Sequence, residues 1–140
     1  MERQTKQRHA IEAAIREGGR PLLPAELVTL AQETVPGINI ATVYRCVKAL
    51  AEEGVIRAVE LSGEPARYER ADLHHHHHFR CDECERVFDV PGCRGGVESN
   101  VPDGFSVRAH EVVLFGRCAE CERPSRKRTR SATTARRSSR

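Results

Sequence analysis

His74-His75-His76-His77-His78-Phe79-Arg80-Cys81-Asp82-Glu83-Cys84 runs five consecutive imidazoles, after two residues, into a C-x-x-C pair. A second pair follows at Cys118 and Cys121. Nitrogen and sulfur donors of this kind suit zinc and its transition-metal neighbours. The 33 residues between Cys84 and Cys118 exceed the usual finger spacing, so the four thiols read as a clasp between two distant hairpins. In an extended strand neighbouring side chains point to opposite faces, which puts His74, His76 and His78 on one side and His75 and His77 on the other. One strand can thus feed two metal sites, with Cys81 and Cys84 building a third. The internal position of the run, against a C-x-x-C, argues against an expression tag.

Working outward, 140 residues suit one ordinary domain or two small ones. With 39 % apolar and 4 % aromatic residues and no Trp, a half of the chain has a marginal core that a metal or oligomerisation would support. Six Cys without a signal-like leader favour metal over disulfides. No apolar run approaches membrane-spanning length, so the expectation is a soluble, cytoplasmic protein without a membrane partner. Residues 123–140 carry eight Lys/Arg and no acid. They leave 15 basic against 20 acidic residues in 1–122, a balance of −5 beneath the overall +3. Any nucleic acid would therefore be bound by placed charges rather than bulk charge.

Upstream, Ile11, Ala14 and Ile15 give helical periodicity over Thr5 to Glu17, stopped at Gly18-Gly19. Pro24 opens a second helix with Leu27, Leu30 and Ala31 on one face, ended by Pro36-Gly37. Asn39 is the expected N-cap of a third, with Val43, Val47, Leu50 and Ala51 as its buried stripe and Gly54 as its stop. Val55, Arg57, Val59 and Leu61 then alternate with Ile56, Ala58, Glu60 and Ser62. Gly63-Glu64-Pro65 turns the chain into Ala66-Arg67-Tyr68-Glu69 as a β-hairpin. Three helices and a hairpin make the order of a winged helix-turn-helix, whose third helix enters the major groove. Ala41, Thr42, Tyr44 and Arg45 lie off its buried stripe, where small residues permit close approach and Thr or Arg can meet phosphate or guanine. The same pair on an exposed face is equally compatible with ordinary surface.

Downstream, Phe79 to Cys81, Val87 to Val90 and Phe105 to Phe115 read as strands, and Gly95 to Val101 leaves room for two helical turns. The segment 123–140 lacks large apolar residues and reads as a disordered basic tail. Glu69, at the hairpin's end, is near enough in sequence to join His76 and His78. Such a site would span the two halves, and an ion would stabilise only the arrangement that brings its ligands together. On the other face His75 and His77 are expected to meet His110, with Glu98 or Asp89 completing the set.

Ala41-Thr42-Val43-Tyr44-Arg45, Arg67-Tyr68-Glu69, the His run, both C-x-x-C pairs and His110 eight residues before Cys118 together resemble the ferric uptake regulator family over residues 3–122. The resemblance implies an α+β chain: a winged helix-turn-helix DNA-binding domain over 1–72, then a small α/β metal-binding dimerisation domain with structural zinc over 73–122. It implies a homodimeric, metal-responsive repressor binding a palindromic double-stranded DNA operator. Carried across by position, Cys81, Cys84, Cys118 and Cys121 look like the structural Zn2+ site. Glu69, His76 and His78 look like the regulatory site, for Zn2+, Fe2+ or Mn2+. His75, His77, His110 and Glu98 look like a second site, and Arg3, Thr42, Tyr44 and Arg45 like DNA contacts.

Two departures stand out. Relatives place a His just before the second helix, where this chain has Pro21, so the regulatory site either lacks a ligand or recruits another: His74, His9 or water. Cys93 is extra, and its thiol beside a site short of one His leans toward zinc. Cys46 reads as packing. A metal-trafficking or storage protein using the His run as a buffer is the alternative of another class. A hydrolytic enzyme is disfavoured, because a four-Cys site is closed and no H-E-x-x-H occurs; no small-molecule substrate is expected.

Overall fold

The computed structural model describes residues 2–92 and 100–123. Glu98, Cys93, most of the 95–101 segment and the tail beyond Arg123 lie outside them. The chain is α+β, running α1 (Glu2–Glu17), α2 (Pro24–Gln32), α3 (Ile40–Glu52), β1 (Ile56–Val59), β2 (Arg67–Arg70), β3 (His76–Cys81), β4 (Val87–Pro91), β5 (Val113–Gly116) and α4 (Ala119–Glu122).

The helices form where the apolar spacing places them, and their ends follow local chemistry. In α1 the buried stripe is Ala10, Ile11, Ala14 and Ile15, and the helix begins at Glu2, ahead of the expected Thr5. Pro24 occupies the first turn of α2, where its missing N–H costs nothing, and the Leu23 N–H donates to Glu26 Oε1 at 3.0 Å. Asn39 caps α3 by accepting the Thr42 N–H at 2.9 Å, and Gly54, at φ +79°, takes the left-handed turn that ends it. Ile11, Leu27, Val43 and Leu50 are fully buried at the centre of the helical core, and Ile56 closes it from β1. Ala51 is exposed rather than part of the α3 stripe, which is Val43, Val47 and Leu50.

β1 and β2 form an antiparallel hairpin in which Arg57 faces Glu69 and Ala58 faces Tyr68. The expected alternation holds at Val59 and Leu61, both buried, but not at its start, where Ile56 is buried and Val55 exposed. The Val55 N–H still bonds Leu50 O at 3.0 Å, so it belongs to the end of α3, and the strand starts one residue later. Leu22 and Tyr68 exchange both backbone hydrogen bonds, at 2.8 and 3.0 Å, which fastens β2 to the segment entering α2.

The second sheet has the order β4-β3-β5, with β4 antiparallel and β5 parallel to β3. The expected strand over Phe105 to Phe115 shortens to Val113–Gly116. Just before its start the Val112 carbonyl accepts the His78 N–H of β3 at 3.1 Å, while the Val112 N–H donates to the His77 side chain, at Nδ1, also at 3.1 Å. Gly116 packs where a Cβ would stand 3.2 Å from the Phe79 ring.

Because Leu50 is fully enclosed by helices, Leu50→Ala is expected to destabilise the chain by about 2–5 kcal/mol. Urea unfolding followed by circular dichroism measures the loss; a cost below about 1 kcal/mol would mean this core does not carry the fold.

Candidate functional site

Three clusters of donor groups arise from the strand registers just described. The first combines the ends of the second sheet. Cys81 closes β3, Cys84 follows on a tight loop, Cys118 precedes α4 and Cys121 lies within it. That loop is closed by paired backbone bonds between Cys81 and Glu85–Arg86, with Glu85 in the left-handed region at φ 64°. The four Sγ atoms lie within 4.8 Å of one another, and Cys84 and Cys118 are 3.9 Å apart. Tetrahedral thiolates around zinc stand about 3.8 Å apart, given Zn–S bonds of ~2.3 Å. The donor set therefore fits that ion, which supplies no chemistry here beyond cross-linking.

Electrostatics favour the same conclusion. Burial raises the Cys81 thiol, but N–H groups of Cys84 and Cys118 pointing at its sulfur outweigh that and hold it at about 6. Cys121 is driven up to about 12 by burial and by the neighbouring sulfurs. Four thiolates in so small a space repel one another, so full ionisation requires a cation among them. Arg86 assists from outside, its Nε 3.1 Å from Cys84 Sγ and its Nη2 bonded to Glu120.

The second cluster lies where the hairpin meets the second sheet. Glu69, on β2, is 2 % exposed. Its Oε2 is 3.1 Å from His76 Nε2, and its Oε1 is 3.3 Å from His78 Nε2. Asp89 Oδ1 completes the group at 3.3 Å from His76 Nε2 and 3.6 Å from His78 Nε2. All four ligand atoms fit within a 4.8 Å span. Asp89 was expected, if anywhere, beside His75 and His77. The register His78↔Asp89 corrects that, because directly opposed residues in an antiparallel pair point to the same face. His9 and His74 do not fill the place left by Pro21: His9 is exposed on α1, and His74 serves through its backbone. The His74 carbonyl accepts from His76 Nδ1 at 2.7 Å, which fixes the proton there and turns the Nε2 lone pair toward the carboxylates.

Burial works against the Glu69 charge, yet hydrogen bonds from His78 and Arg57 and the charge of His76 hold its carboxyl at about 2. Asp89 moves the other way, raised by burial and by the Glu69 charge. For His76, burial opposes protonation, but the His74 carbonyl and the Glu69 carboxylate raise its pKa overall. Two carboxylates and two imidazoles can hold a first-row divalent ion.

In the third cluster His75, His77 and His110 stand with ring centroids 4.7 to 5.0 Å apart, His75 Nε2 and His110 Nε2 at 3.3 Å. Burial and the two neighbouring rings lower the His77 pKa. Glu98, the expected fourth member, lies outside the described residues.

On the helical side Tyr44 is 53 % exposed and Arg45 is exposed beside it, its Nη2 donating to Thr42 Oγ1 at 3.3 Å. Arg3 is exposed in the first turn of α1. α1 and α3 line a shallow groove through Gln4, Gln7, Arg8, Thr42 and Arg45. Among the described residues, no helix is long and apolar enough to cross a membrane.

Alongside three helices, a hairpin and one donor cluster where that hairpin meets the second sheet, comparison with known proteins places the chain among metal-responsive transcriptional regulators. The chain belongs to the ferric uptake regulator family, whose sequence model matches residues 2–115. The ferric uptake regulation protein of Bacillus subtilis is 31 % identical over 124 residues, covering 84 % of this chain and 83 % of that one. Ferric uptake regulation protein 2 of Mycolicibacterium fortuitum is 28 % identical over 130 residues, 89 % of each. Among solved structures, the Helicobacter pylori ferric uptake regulator superposes with a TM-score of 0.67 at 25 % identity, covering 86 % of this chain and 82 % of that one; it is described as having three functional metal-binding sites. A zinc-bound manganese uptake regulator shares the fold, with a TM-score of 0.70 at 23 % identity over 80 % of this chain and 87 % of that one.

Two outcomes follow from the clusters. Cys81→Ser is expected to lose about one equivalent of tightly held zinc and to lower the melting temperature, whereas Cys46→Ser, outside the clusters, keeps both. Elemental analysis with thermal melting decides it, and a Cys81→Ser protein with unchanged zinc would remove the clasp. The raised His76 pKa means its cationic form, which cannot ligate, persists to higher pH. Metal affinity at the Glu69 cluster should therefore fall as pH drops through that pKa, approaching tenfold per unit below it, in titrations run between pH 8 and 6.

Proposed function

We propose that the chain is a homodimeric repressor that binds an inverted-repeat operator in double-stranded DNA when the Glu69–His76–His78–Asp89 cluster holds a divalent ion. One observation carries this reading: the cluster draws Glu69 from the hairpin that follows α3 and the other three donors from the second sheet. An ion there favours one orientation of the helices relative to that sheet, and so of the α3 face that carries Thr42, Tyr44 and Arg45. On this reading residues 1–72 form the DNA-binding domain, 73–122 the dimerisation domain, and 123–140 a basic tail. Separate apolar clusters, one among the helices and one around the thiols, support the division.

The four thiols would hold structural Zn2+. For the regulatory ion, Zn2+, Fe2+ and Mn2+ all suit two nitrogens and two oxygens, and the lean toward zinc weakens because no sulfur joins this set among the described residues. Arg3 would add a backbone contact on DNA, and the His75–His77–His110 cluster would be a second metal site, with Glu98 its expected fourth member. Dimerisation is supported by β5, an edge strand with Leu114 and Phe115 47 % and 63 % exposed, and by Phe105 at 68 %. A cytoplasmic setting is part of the proposal.

A storage protein would display its imidazoles. Here His77 and His78 are buried and the run is split between two defined clusters, which argues for stoichiometric sites.

The test is a gel shift on a palindromic promoter fragment with Zn2+, Fe2+ or Mn2+ and with chelator. Binding is expected to need one of these ions and to be lost in Arg45→Ala, with a fall of about tenfold or more in specific affinity. Equal binding with and without chelator would remove metal control, and an unaffected Arg45→Ala would remove α3 as the reading helix.

A further inference from the structure

The Glu69 cluster contains a fifth participant that is not a ligand. Arg57 stands directly opposite Glu69 in the β1–β2 ladder, so both side chains project to one face of the hairpin. Its Nε lies 2.7 Å from Glu69 Oε2. Its Nη2 is 3.3 and 3.4 Å from the two ring nitrogens of His76. His76 Nε2 itself is 3.1 Å from the same Glu69 Oε2. One carboxylate oxygen thus meets a fixed cation and a nitrogen donor together. The Arg57 side chain is 42 % exposed while that of Glu69 is 3 %, so the guanidinium enters from the solvent side and has room to swing away.

We propose that Arg57 is a built-in competitor for the cation of this cluster and sets the metal concentration at which the cluster fills. The proposal rests on the reading of the Glu69 cluster as the regulatory site. Glu69 and Asp89 supply two negative charges, which a divalent ion neutralises alone and which Arg57 already half neutralises. A guanidinium does not deprotonate near neutral pH, so Arg57 cannot yield by losing its proton as a lysine or histidine might be made to do. An incoming ion must displace it from Oε2 or accept a unit positive charge beside the ligands. Both routes weaken binding relative to the same cluster without the arginine.

The location adds a consequence. Arg57 sits on β1, two residues past the end of the α3 turn, so its release moves a positive charge away from the Glu69 carboxylate, on the same hairpin, as the ion arrives. Metal loading and the state of the hairpin are thereby tied through one side chain. The opposing account makes Arg57 a positioning partner that orients a ligand carboxylate. Such partners strengthen metal binding, and their loss commonly costs 10–100-fold in affinity. The two accounts predict opposite signs.

The experiment uses the full chain with its thiol-bound metal retained, titrated with Zn2+ and separately with Mn2+ against a fluorescent chelator. Arg57→Gln keeps a hydrogen-bond donor near Glu69 and removes the charge; Arg57→Met removes both; Arg57→Lys keeps the charge. The Gln and Met variants are expected to bind about tenfold tighter or more, and the Lys variant to stay within a few-fold of the parent. Thermal melting of the same preparations, thiol-bound metal retained and before titration, checks that each variant remains folded. Equal or weaker binding by folded Gln and Met variants overturns the proposal in favour of positioning. Glu69→Gln serves as the site control. If it abolishes the titrated event while the Arg57 variants change nothing, the competitor role alone fails. If Glu69→Gln leaves the titration unaltered, the regulatory-site reading fails and the proposal falls with it.

Discussion

A carboxylate sealed from solvent at 2 % exposure cannot remain ionised without compensation, and much of this chain is arranged to compensate Glu69. Its partners come from Arg57 across the hairpin, His76 and His78 on β3 and, through them, Asp89 on β4. Glu69 is also fixed relative to the helices, because its neighbour Tyr68 is bonded through its backbone to Leu22 at the entry to α2. Nearby, the buried Arg67 donates to the Glu85 carbonyl on the thiol-bearing loop, and Arg80 pairs with Glu64 at 2.6 Å. Charge and hydrogen bonding, rather than apolar contact, therefore dominate the junction between hairpin and second sheet. Such a junction responds to a change in charge more readily than a greasy one does, because its energy depends on which cations are present.

The thiol cluster answers a different need. Around the second sheet the buried apolar group consists of Cys81, Cys118 and Cys121, with Phe79, Cys84 and Phe88 packed against it. Three short strands with that core and Val87 bury little hydrocarbon, so an ion held by the four thiols would add cross-linking that the apolar contacts do not supply. The helical half needs no such help, having Ile11, Leu22, Leu27, Ile38, Val43 and Leu50 almost fully enclosed. On the proposed reading, one half of the chain is held by the hydrophobic effect and the other by coordination. That division explains why the donors crowd into the second half.

Features that depend on local chemistry were legible in the residues. The stripe in α1, the Pro24 start, the Asn39 cap and the alternation of the His run all concern neighbours within a turn or two. Features that depend on register between distant segments were not. Asp89 joins His76 and His78 only because β4 pairs with β3 so that residue 89 meets residue 78. The Leu22–Tyr68 bridge links segments 46 residues apart and leaves no pattern in either. The β5 strand is likewise limited to the residues that register with β3, Val113 to Gly116, although the composition from Phe105 onward looks extended. The start of β1 at Ile56 rather than Val55 is a local exception, set by a hydrogen bond back to Leu50 that alternation does not register.

Net charge constrains how such a chain can use DNA. Residues 1–122 carry 15 basic and 20 acidic side chains, so the body gains little from bulk attraction to phosphate. In the groove shared with Arg45, Arg8 is already engaged with one of the protein's own acids, Glu53. A protein that lacks a general electrostatic grip depends on placing a few groups correctly, and small rotations of α3 then matter more than total charge. On the proposed reading, an ion at Glu69 needs to fix only one angle. Arg57, poised on the same carboxylate, determines how much of that ion is needed to do so.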